Sequence, residues 1–150
     1  MIQYINGDIF AGDDDVIIHG CNCMCTMNSG VAKQVRQYYP EAYQADQRTV
    51  VGDKLKLGGY SSCEVRHHFH PCKLVTVINA YTQYDYGYDN KLRFDCAAFE
   101  LVLQKIKEQF GHLKIAMPKI GAGLAGGDWS IIEKIINKIF NDIIVKVYVV

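Results

Sequence analysis

Two stretches of the chain decide its fold: residues 19–32 have the sequence HGCNCMCTMNSGVA, and residues 117–129 have the sequence MPKIGAGLAGGDW. Each includes or follows the end of a short apolar run, over 16–19 in one case and 113–117 in the other, that predicts a buried strand. In both stretches glycines come after the strand, where they permit tight turns and a close approach of a ligand to the backbone.

A helix is predicted directly after each glycine-containing stretch, because apolar residues recur at helical spacing over 30–39 and 129–140. The N–H groups of a first helical turn have no partner within the helix, and together with the helix dipole they favour an anion. Two such loops at one edge of a sheet are suited to two linked phosphates. The alternative is that the glycines only make tight turns.

Strands and helices alternate along the chain, and this order predicts an α/β sandwich with a largely parallel sheet. Ligands in such folds bind outside the carboxyl ends of the strands. Predicted strands cover 2–5, 16–19, a β-rich region over 54–79, 113–117 and 143–150. Predicted helices cover 30–39, 93–110 and 129–140; Pro40 ends the first helix or starts another, and a loop is expected over 81–90.

Composition narrows the function classes. The 150 residues carry 16 Lys and Arg against 16 Asp and Glu, so the formal net charge is zero, which argues against a dedicated nucleic-acid surface. No apolar run approaches the length of about 20 residues that a bilayer span needs, and no secretion signal is visible. The six cysteines are expected to be reduced thiols. These features predict a cytoplasmic monomer with no membrane partner.

Four separated stretches resemble the macro domain family: the two quoted above, together with the sequence NGDI at 6–9 and INA at 78–80. The resemblance covers nearly the whole chain and is strongest to the branch that processes ADP-ribose 1″-phosphate in fungi, bacteria and phages. It implies a single macro domain over 1–150, a three-layer α/β/α sandwich with a mixed, largely parallel central sheet. It also implies an enzyme that binds ADP-ribose, hydrolyses ADP-ribose 1″-phosphate to ADP-ribose and phosphate, and needs no metal or organic cofactor.

The resemblance assigns roles to individual residues. Asp8, with the Ile9 backbone beside it, is expected to accept a hydrogen bond from the adenine amino group, and Asn22 is expected near the distal ribose. Tyr148 is the candidate to pack on adenine, and Leu124 stands where other members often carry an aromatic. The two phosphate loops are expected to consist of Asn28, Ser29, Gly30, Val31 and Ala32, and of Ile120, Gly121, Ala122, Gly123 and Leu124. Asp8 and Asn22 as turn residues, and Tyr148 as an ordinary strand tyrosine, are the alternatives.

For hydrolysis, a bound water would attack the phosphoryl group while the loops stabilise charge on its oxygens. His19 is the expected general acid or base because its unperturbed pKa lies near neutrality. Asn22 would position the water or the ribose, and Asp128 is the second acid–base candidate. The alternatives are that His19 points into the core and that Asp128 is the N-cap of the helix over 129–140.

Two other activities stay open. One branch of the family removes ADP-ribose from carboxylates or DNA with a lysine just after the middle strand and an Asp in the glycine loop. Here the sequence after Ile78 is NAYTQ, without a lysine, and the position of that Asp is Ala125. This departure argues against the lysine route but leaves another ADP-ribosyl hydrolase activity, or a non-catalytic ADP-ribose reader, as alternatives.

Cysteines and histidines raise the possibility of a zinc site or a thiol nucleophile. The candidate ligands are Cys21, Cys23, Cys25, His67, His68, His70 and Cys72. Structural zinc sites usually space cysteines by two to four residues, whereas one-residue spacing on a strand sends side chains to opposite faces. No metal site is therefore expected, and Cys23 as a nucleophile lacks an identified base.

Tyrosines at 81, 84, 86 and 88 are concentrated in the loop over 81–90. Together with 67–69 they offer surfaces on which single-stranded nucleic acid would stack, but Asp85 and Asp89 oppose that use. A flexible lid over the ligand is the functional interpretation that the sequence favours, and a packed loop is the structural one.

Overall fold

A computed structural model describes residues 1–89 and 91–150. Six strands form one sheet in the order β1-β6-β5-β2-β4-β3. The strands are β1 (Ile2–Asn6), β2 (Val16–Cys21), β3 (Tyr60–Arg66), β4 (Leu74–Tyr81), β5 (Ile115–Pro118) and β6 (Val145–Val149). All neighbouring strands are parallel except β3, which pairs with β4 in the antiparallel sense, so the prediction of a mixed, largely parallel sheet is confirmed.

Four helices cover the two faces of the sheet: α1 (Gly30–Tyr38), α2 (Pro40–Gln47), α3 (Cys96–Phe110) and α4 (Trp129–Ile139). Pro40 starts α2, where a missing N–H costs nothing because a first helical turn has no acceptor for it. The helix predicted from residue 93 begins three residues later, because Asp95 accepts a hydrogen bond from the Ala98 amide at 2.9 Å and caps α3 there.

The strands alternate their side chains between two cores, which makes the sandwich three-layered. Ile17 and Val77 face the α1–α2 side, whereas Ile18 and Ile78 face the α3–α4 side. Both cores are closed by fully buried helical side chains, such as Val35 of α1 and others from α3 and α4. Within residues 1–89 and 91–150, no helix is both long and apolar enough to cross a bilayer.

The β-rich region predicted over 54–79 is only partly a strand. Residues 54–56 form a 3₁₀ turn that Asp53 caps by accepting a hydrogen bond from the Leu55 amide at 2.9 Å. Leu55 is 90% exposed, so the apolar alternation of this segment does not mark a buried face. Beyond this turn, β3 and β4 occupy most of the predicted region, and β6 begins two residues later than expected.

Candidate functional site

A cleft of about 290 Å³ opens at the carboxyl edge of the parallel strands. Three segments form its walls: residues 20–32 after β2, residues 82–88 after β4, and residues 118–125 at and after the end of β5. Most of the residues expected to bind the ligand lie there, namely Asn22, Asn28, Ser29, Gly30, Val31, Ala32, Ile120, Gly121, Gly123 and Leu124. Asp8, Ile9, Ala122 and Tyr148 are outside the cleft lining.

The first loop delivers the N-terminus of α1 to the cleft. Ser29 is the N-cap residue, but its hydroxyl makes no capping hydrogen bond to the helix. Gly30 has a φ of 59°, and a Cβ added there would meet nothing within 4 Å. No side chain therefore covers the backbone at this position of the cleft wall. The unpaired amides of this turn and the Ser29 hydroxyl together form a set of donors suited to phosphate oxygens.

The second loop is held by its own backbone. The Gly127 amide donates to the Gly121 carbonyl at 2.7 Å, and the Gly126 amide donates to the Gly123 carbonyl at 3.0 Å. Gly121 has a φ of 80°, and a Cβ there would lie 2.3 Å from the Phe94 ring, so only glycine fits. The loop is therefore preorganised, with its outer face lining the cleft beside the α1 N-terminus.

Asn22 lies in the cleft wall and is fixed by a tight turn. Its Oδ1 accepts from the Met24 amide at 2.8 Å, and its Nδ2 donates to the Thr26 hydroxyl at 2.8 Å. These two bonds set the orientation of the amide, and they leave one N–H and one lone pair for a ligand. The same turn includes Cys25 at a φ of 57°, a conformation that non-glycine residues seldom adopt.

His19 does not reach the cleft, so the expectation of a general acid or base does not fit its position. Its side chain is 1% exposed, and its Nε2–H donates to Asn79 Oδ1 at 2.6 Å. The donor role follows because Asn79 Nδ2 itself donates to Ala42 and Ser61, which turns Oδ1 towards the imidazole. Burial lowers the pKa of His19 from 6.5 to about 4, which makes it a neutral core histidine.

Asp128 is also outside the cleft lining. Its Oδ1 accepts from the Ser130 amide at 2.9 Å and from the Ser130 hydroxyl at 2.8 Å, and it is the N-cap of α4. These hydrogen bonds lower the pKa of Asp128, so the carboxylate stays ionised and remains hydrogen-bonded to the first turn of α4. The structural interpretation of Asp128 as a cap is confirmed.

Asp8 and Tyr148 lie at the β1 end of the same edge. Asp8 is exposed and caps the 3₁₀ turn over Ile9–Ala11, accepting from the Phe10 amide at 2.9 Å. Its second oxygen points to no partner within the described residues. Tyr148 is paired in register with Ile5 of β1 and Pro118 of β5. It is 9% exposed, and its hydroxyl donates to the buried Asp14 at 2.7 Å, as expected of a core strand tyrosine.

Comparison with known proteins identifies the family. The Macro domain family model matches residues 18–136. The chain belongs to the macro domain family. It is 39% identical over 145 residues to an uncharacterized 17.5 kDa protein of Enterobacteria phage T4, covering 91% of this chain and 88% of that one. It is 31% identical to the ADP-ribose 1″-phosphate phosphatase of Debaryomyces hansenii, covering 100% and 99% of the two chains.

A solved structure has a similar fold over nearly the same length. A protein of unknown function from Bacteroides thetaiotaomicron is 28% identical to this macro domain, with a TM-score of 0.78 over 99% of this chain and 97% of that one. The likeness extends over nearly the whole length of both proteins.

Residues of the loop predicted over 81–90 complete the cleft of this macro domain, although the sequence assigns none of them an individual ligand contact. Thr82 and Gln83 come directly after β4, and Tyr86, Gly87 and Tyr88 follow them. Their position just after the middle strand is the signal in the sequence that could have found them. Among the four tyrosines, Tyr86 and Tyr88 face the cleft, whereas Tyr81 is buried and Tyr84 donates to the Gly52 carbonyl at 2.9 Å. The last residue of the predicted loop, Asn90, lies outside the described residues.

The cysteines at and after the end of β2 have separate environments. Cys21 lies 3.7 Å from the His19 ring, Cys23 donates to the Gln83 carbonyl at 3.5 Å, and Cys25 donates to the Asp46 carbonyl at 3.3 Å. Burial raises the pKa of Cys23, which opposes formation of a nucleophilic thiolate. In the described part of the chain, no group of three potential ligands is suitably arranged for a metal ion.

Proposed function

We propose that this macro domain binds ADP-ribose 1″-phosphate and hydrolyses it to ADP-ribose and phosphate. The observation that carries the proposal is the pair of strand-to-helix loops, 28–32 and 120–124, that border one cleft. Both loops offer backbone N–H groups to the cleft. The first loop adds the hydroxyl of Ser29, which makes no capping hydrogen bond. Such a site suits linked phosphates without requiring a cluster of basic residues, in keeping with the zero net charge.

In this proposal the ligand lies along the carboxyl edge of the sheet. Adenine is at the β1 end, where Asp8 keeps one carboxylate oxygen for the amino group. The ligand extends along this edge from β1 towards β4. These two strands are four strand spacings apart in the sheet order, a distance of about 19 Å at about 4.8 Å per spacing. The diphosphate then lies between the two loops, and the distal ribose with its 1″-phosphate lies near Asn22.

The proposed step is attack of water on the terminal phosphorus. A bond forms from the water oxygen to phosphorus, the bond from phosphorus to the 1″ oxygen breaks, and a proton passes from the water to the leaving oxygen. Asn22 orients the water or the ribose with its remaining N–H and lone pair, and the loop amides stabilise charge on the phosphoryl oxygens. His19 and Asp128 take no part, because neither lines the cleft.

The relative from Debaryomyces hansenii supports this choice among macro domain activities, since that protein is named an ADP-ribose 1″-phosphate phosphatase and the match spans both chains. The segment after Ile78 that would supply a lysine nucleophile, NAYTQ at 79–83, has no lysine, and Ala125 stands in the glycine loop in place of the Asp. An ADP-ribosyl hydrolase that uses a lysine is therefore disfavoured. A hydrolase of another mechanism and a non-catalytic reader are the competing activities that the experiment must separate.

The test is to mix the protein with ADP-ribose 1″-phosphate and follow the ³¹P NMR spectrum. We expect inorganic phosphate to appear at a rate proportional to enzyme, and Asn22→Ala to abolish that rate. Asn141→Ala, at an exposed asparagine outside the cleft, is the matched control and should turn over normally.

Other outcomes would replace the proposal. Movement of the diphosphate signals without release of phosphate would mean a reader or a different ADP-ribosyl linkage as substrate. An unchanged spectrum would exclude ADP-ribose 1″-phosphate as the ligand. Normal turnover by Asn22→Ala would remove Asn22 from the mechanism while leaving the activity in place.

A further inference from the structure

Thr82 has a buried hydroxyl with no hydrogen-bond partner, at the floor of the cleft. Its residue exposure is 1%, and its Oγ1 is one of four buried side-chain atoms without a partner among the described residues. The other three belong to Asp14, Asp46 and His67, and none of these residues lines the cleft. Because buried polar groups are almost always paired in folded proteins, the unpaired hydroxyl indicates a partner that arrives with a ligand.

The backbone of Thr82 is fixed from both sides. Its amide donates to the Cys21 carbonyl at 3.2 Å, and its carbonyl accepts from the Asp95 amide at 2.8 Å. Asp95 in turn caps α3, so the position of Thr82 is tied to the end of β2 and to the start of that helix. A β-branched side chain also has few rotamers, which limits the directions in which the hydroxyl can lie.

Gly20 leaves space beside this hydroxyl that a side chain would fill. A Cβ at Gly20 would lie 3.0 Å from Thr82 Oγ1 on one side and 2.9 Å from a methyl group of Ile120 on the other. The φ of Gly20 is not in the left-handed region, so the need for glycine here comes from space and not from backbone conformation. At the floor of the cleft, the Gly20 backbone therefore lies without a side chain between the methyl group of Ile120 and the hydroxyl of Thr82.

Thr82 also lies beside Asn22. The register of β2 and β4 pairs Cys21 with Tyr81, so the next residue of each strand leaves the sheet at the same level. Both residues line the cleft at the end opposite Asp8. In the proposed arrangement of the ligand, that end receives the distal ribose and its 1″-phosphate.

We propose that Thr82 is a further catalytic residue, whose hydroxyl donates a hydrogen bond to an oxygen of the 1″-phosphate. This inference rests on the proposed function. Phosphoryl oxygens accept hydrogen bonds, and a neutral fixed donor stabilises the charge that they carry during attack by water. Thr82 stays an alcohol throughout, so it acts by positioning and by charge stabilisation and not as a nucleophile.

The test compares Thr82→Val, which keeps the shape but removes the hydroxyl, with Thr82→Ser, which keeps the hydroxyl. We expect Thr82→Val to lower kcat for ADP-ribose 1″-phosphate by about 100-fold, in the range for loss of one oxyanion donor. Thr82→Ser should recover most of that loss. Affinity for ADP-ribose, which lacks the 1″-phosphate, should be the same in both variants. Thr76→Val, near the amino end of β4 and outside the cleft lining, is the matched control and should behave as wild type.

A stability measurement separates this role from a structural one. Removal of an unpaired buried hydroxyl should leave the melting temperature of Thr82→Val equal to or above that of the wild type. Turnover within threefold of wild type would overturn the inference, and so would a lower melting temperature combined with equal losses for both ligands. An equally large loss of kcat in Thr82→Ser would also overturn it.

Failure of the proposed function gives a different result. If the wild type binds ADP-ribose 1″-phosphate without turnover, calorimetry on the same variants still tests the contact. Thr82→Val should then lose the preference of the wild type for ADP-ribose 1″-phosphate over ADP-ribose, and an unchanged preference would overturn the inference. If the wild type binds neither compound, the proposed function and this inference fail together.

Discussion

The Nε2 atom of His19 lies 2.6 Å from Oδ1 of Asn79, and the two residues are in register on β2 and β4. Both side chains are buried on the α1–α2 side of the sheet, where Asn79 also donates to the Ala42 carbonyl at 2.9 Å. The pair thus links β2 and β4 to the start of α2 through neutral hydrogen bonds. Protonation of His19 would place an uncompensated charge in this interior.

This relationship predicts a loss of stability in weak acid. The pKa of His19 is lowered from 6.5 to about 4 by burial, so the unfolded chain binds more protons than the folded chain between those pH values. The free energy of unfolding should therefore fall as pH drops from 6.5 towards 4, by up to about 3 kcal/mol from this one group. Urea unfolding at a series of pH values measures the slope.

His19→Gln is the comparison that isolates the group, since Gln can still donate to Asn79 but does not titrate. Its stability should vary less with pH over the same interval. Burial also lowers the pKa of His67, but that contribution is common to both proteins and cancels in the difference. If the free energy of unfolding depends on pH in the same way in the wild type and in His19→Gln, then His19 does not cause the loss of stability in acid.

The same strand explains what sequence reasoning could and could not predict. The run over 16–19 predicted a buried strand, and β2 covers it. Sequence alone could not say which face would be covered at its carboxyl end, because that depends on where α2 packs. The odd-numbered positions Ile17 and His19 share the α1–α2 face, so the histidine points into a core and not into the cleft.

The two loops that border the cleft could be predicted from the sequence, because glycines and the start of a helix both leave a local pattern. Thr82 left no such pattern. A threonine at the end of a strand is ordinary, and only the close approach of Gly20 and the absence of a hydrogen-bond partner distinguish it. Both are long-range relationships, which a single sequence does not display.

We expect Asp8→Asn to weaken binding of ADP-ribose by about tenfold or more, because a hydrogen bond to a charged acceptor contributes roughly 1.5–3 kcal/mol. Asn retains an oxygen that can accept from the Phe10 amide, so the 3₁₀ turn should persist. Asp53→Asn is a matched control, since Asp53 caps the other 3₁₀ turn with the same distance of 2.9 Å to its amide. Isothermal titration calorimetry with ADP-ribose measures both variants.

Of the two residues, only Asp8 takes part in the proposed adenine contact. The affinity for ADP-ribose should therefore fall in Asp8→Asn and not in Asp53→Asn. Equal affinities for Asp8→Asn and Asp53→Asn would remove the adenine contact from the proposal. Unequal melting temperatures of the two variants would instead indicate that the cap itself had been disturbed.

Gly121→Ala should destabilise the protein, whereas Gly123→Ala should not. At Gly121 a Cβ would lie 2.3 Å from the Phe94 ring and the φ of 80° is unfavourable for alanine, costs that together amount to about 3 kcal/mol. At Gly123 a Cβ would meet nothing within 4 Å, and its φ is not in the left-handed region. Chemical denaturation of the two single variants measures the difference, and similar losses in both would contradict the packing argument.

Arg93 is the residue that holds the tyrosine-bearing loop over 85–89 against the cleft. Its guanidinium contacts both oxygens of Asp89, at 2.6 and 3.2 Å, and reaches Asp85 at 3.2 Å. A Cβ on Gly87 would lie 2.5 Å from an Arg93 nitrogen, so the loop backbone rests directly on the guanidinium. The same residue donates its amide to the Ala125 carbonyl of the second phosphate loop at 2.8 Å.

Arg93→Gln should therefore loosen the loop with little effect on overall stability. Asp85 and Asp89 have side chains 53% and 48% exposed, and exposed ion pairs contribute little to folding, although these hydrogen bonds do lower the pKa of Asp89. Hydrogen exchange at 85–89 should become faster and ADP-ribose should bind several-fold more weakly, because the loop must be ordered on binding. Lys138→Gln, which removes an exposed ion pair with Glu100 outside the cleft, should change neither quantity. Unchanged exchange in Arg93→Gln would mean that the backbone contacts of the loop suffice to hold Tyr86 and Tyr88 in place.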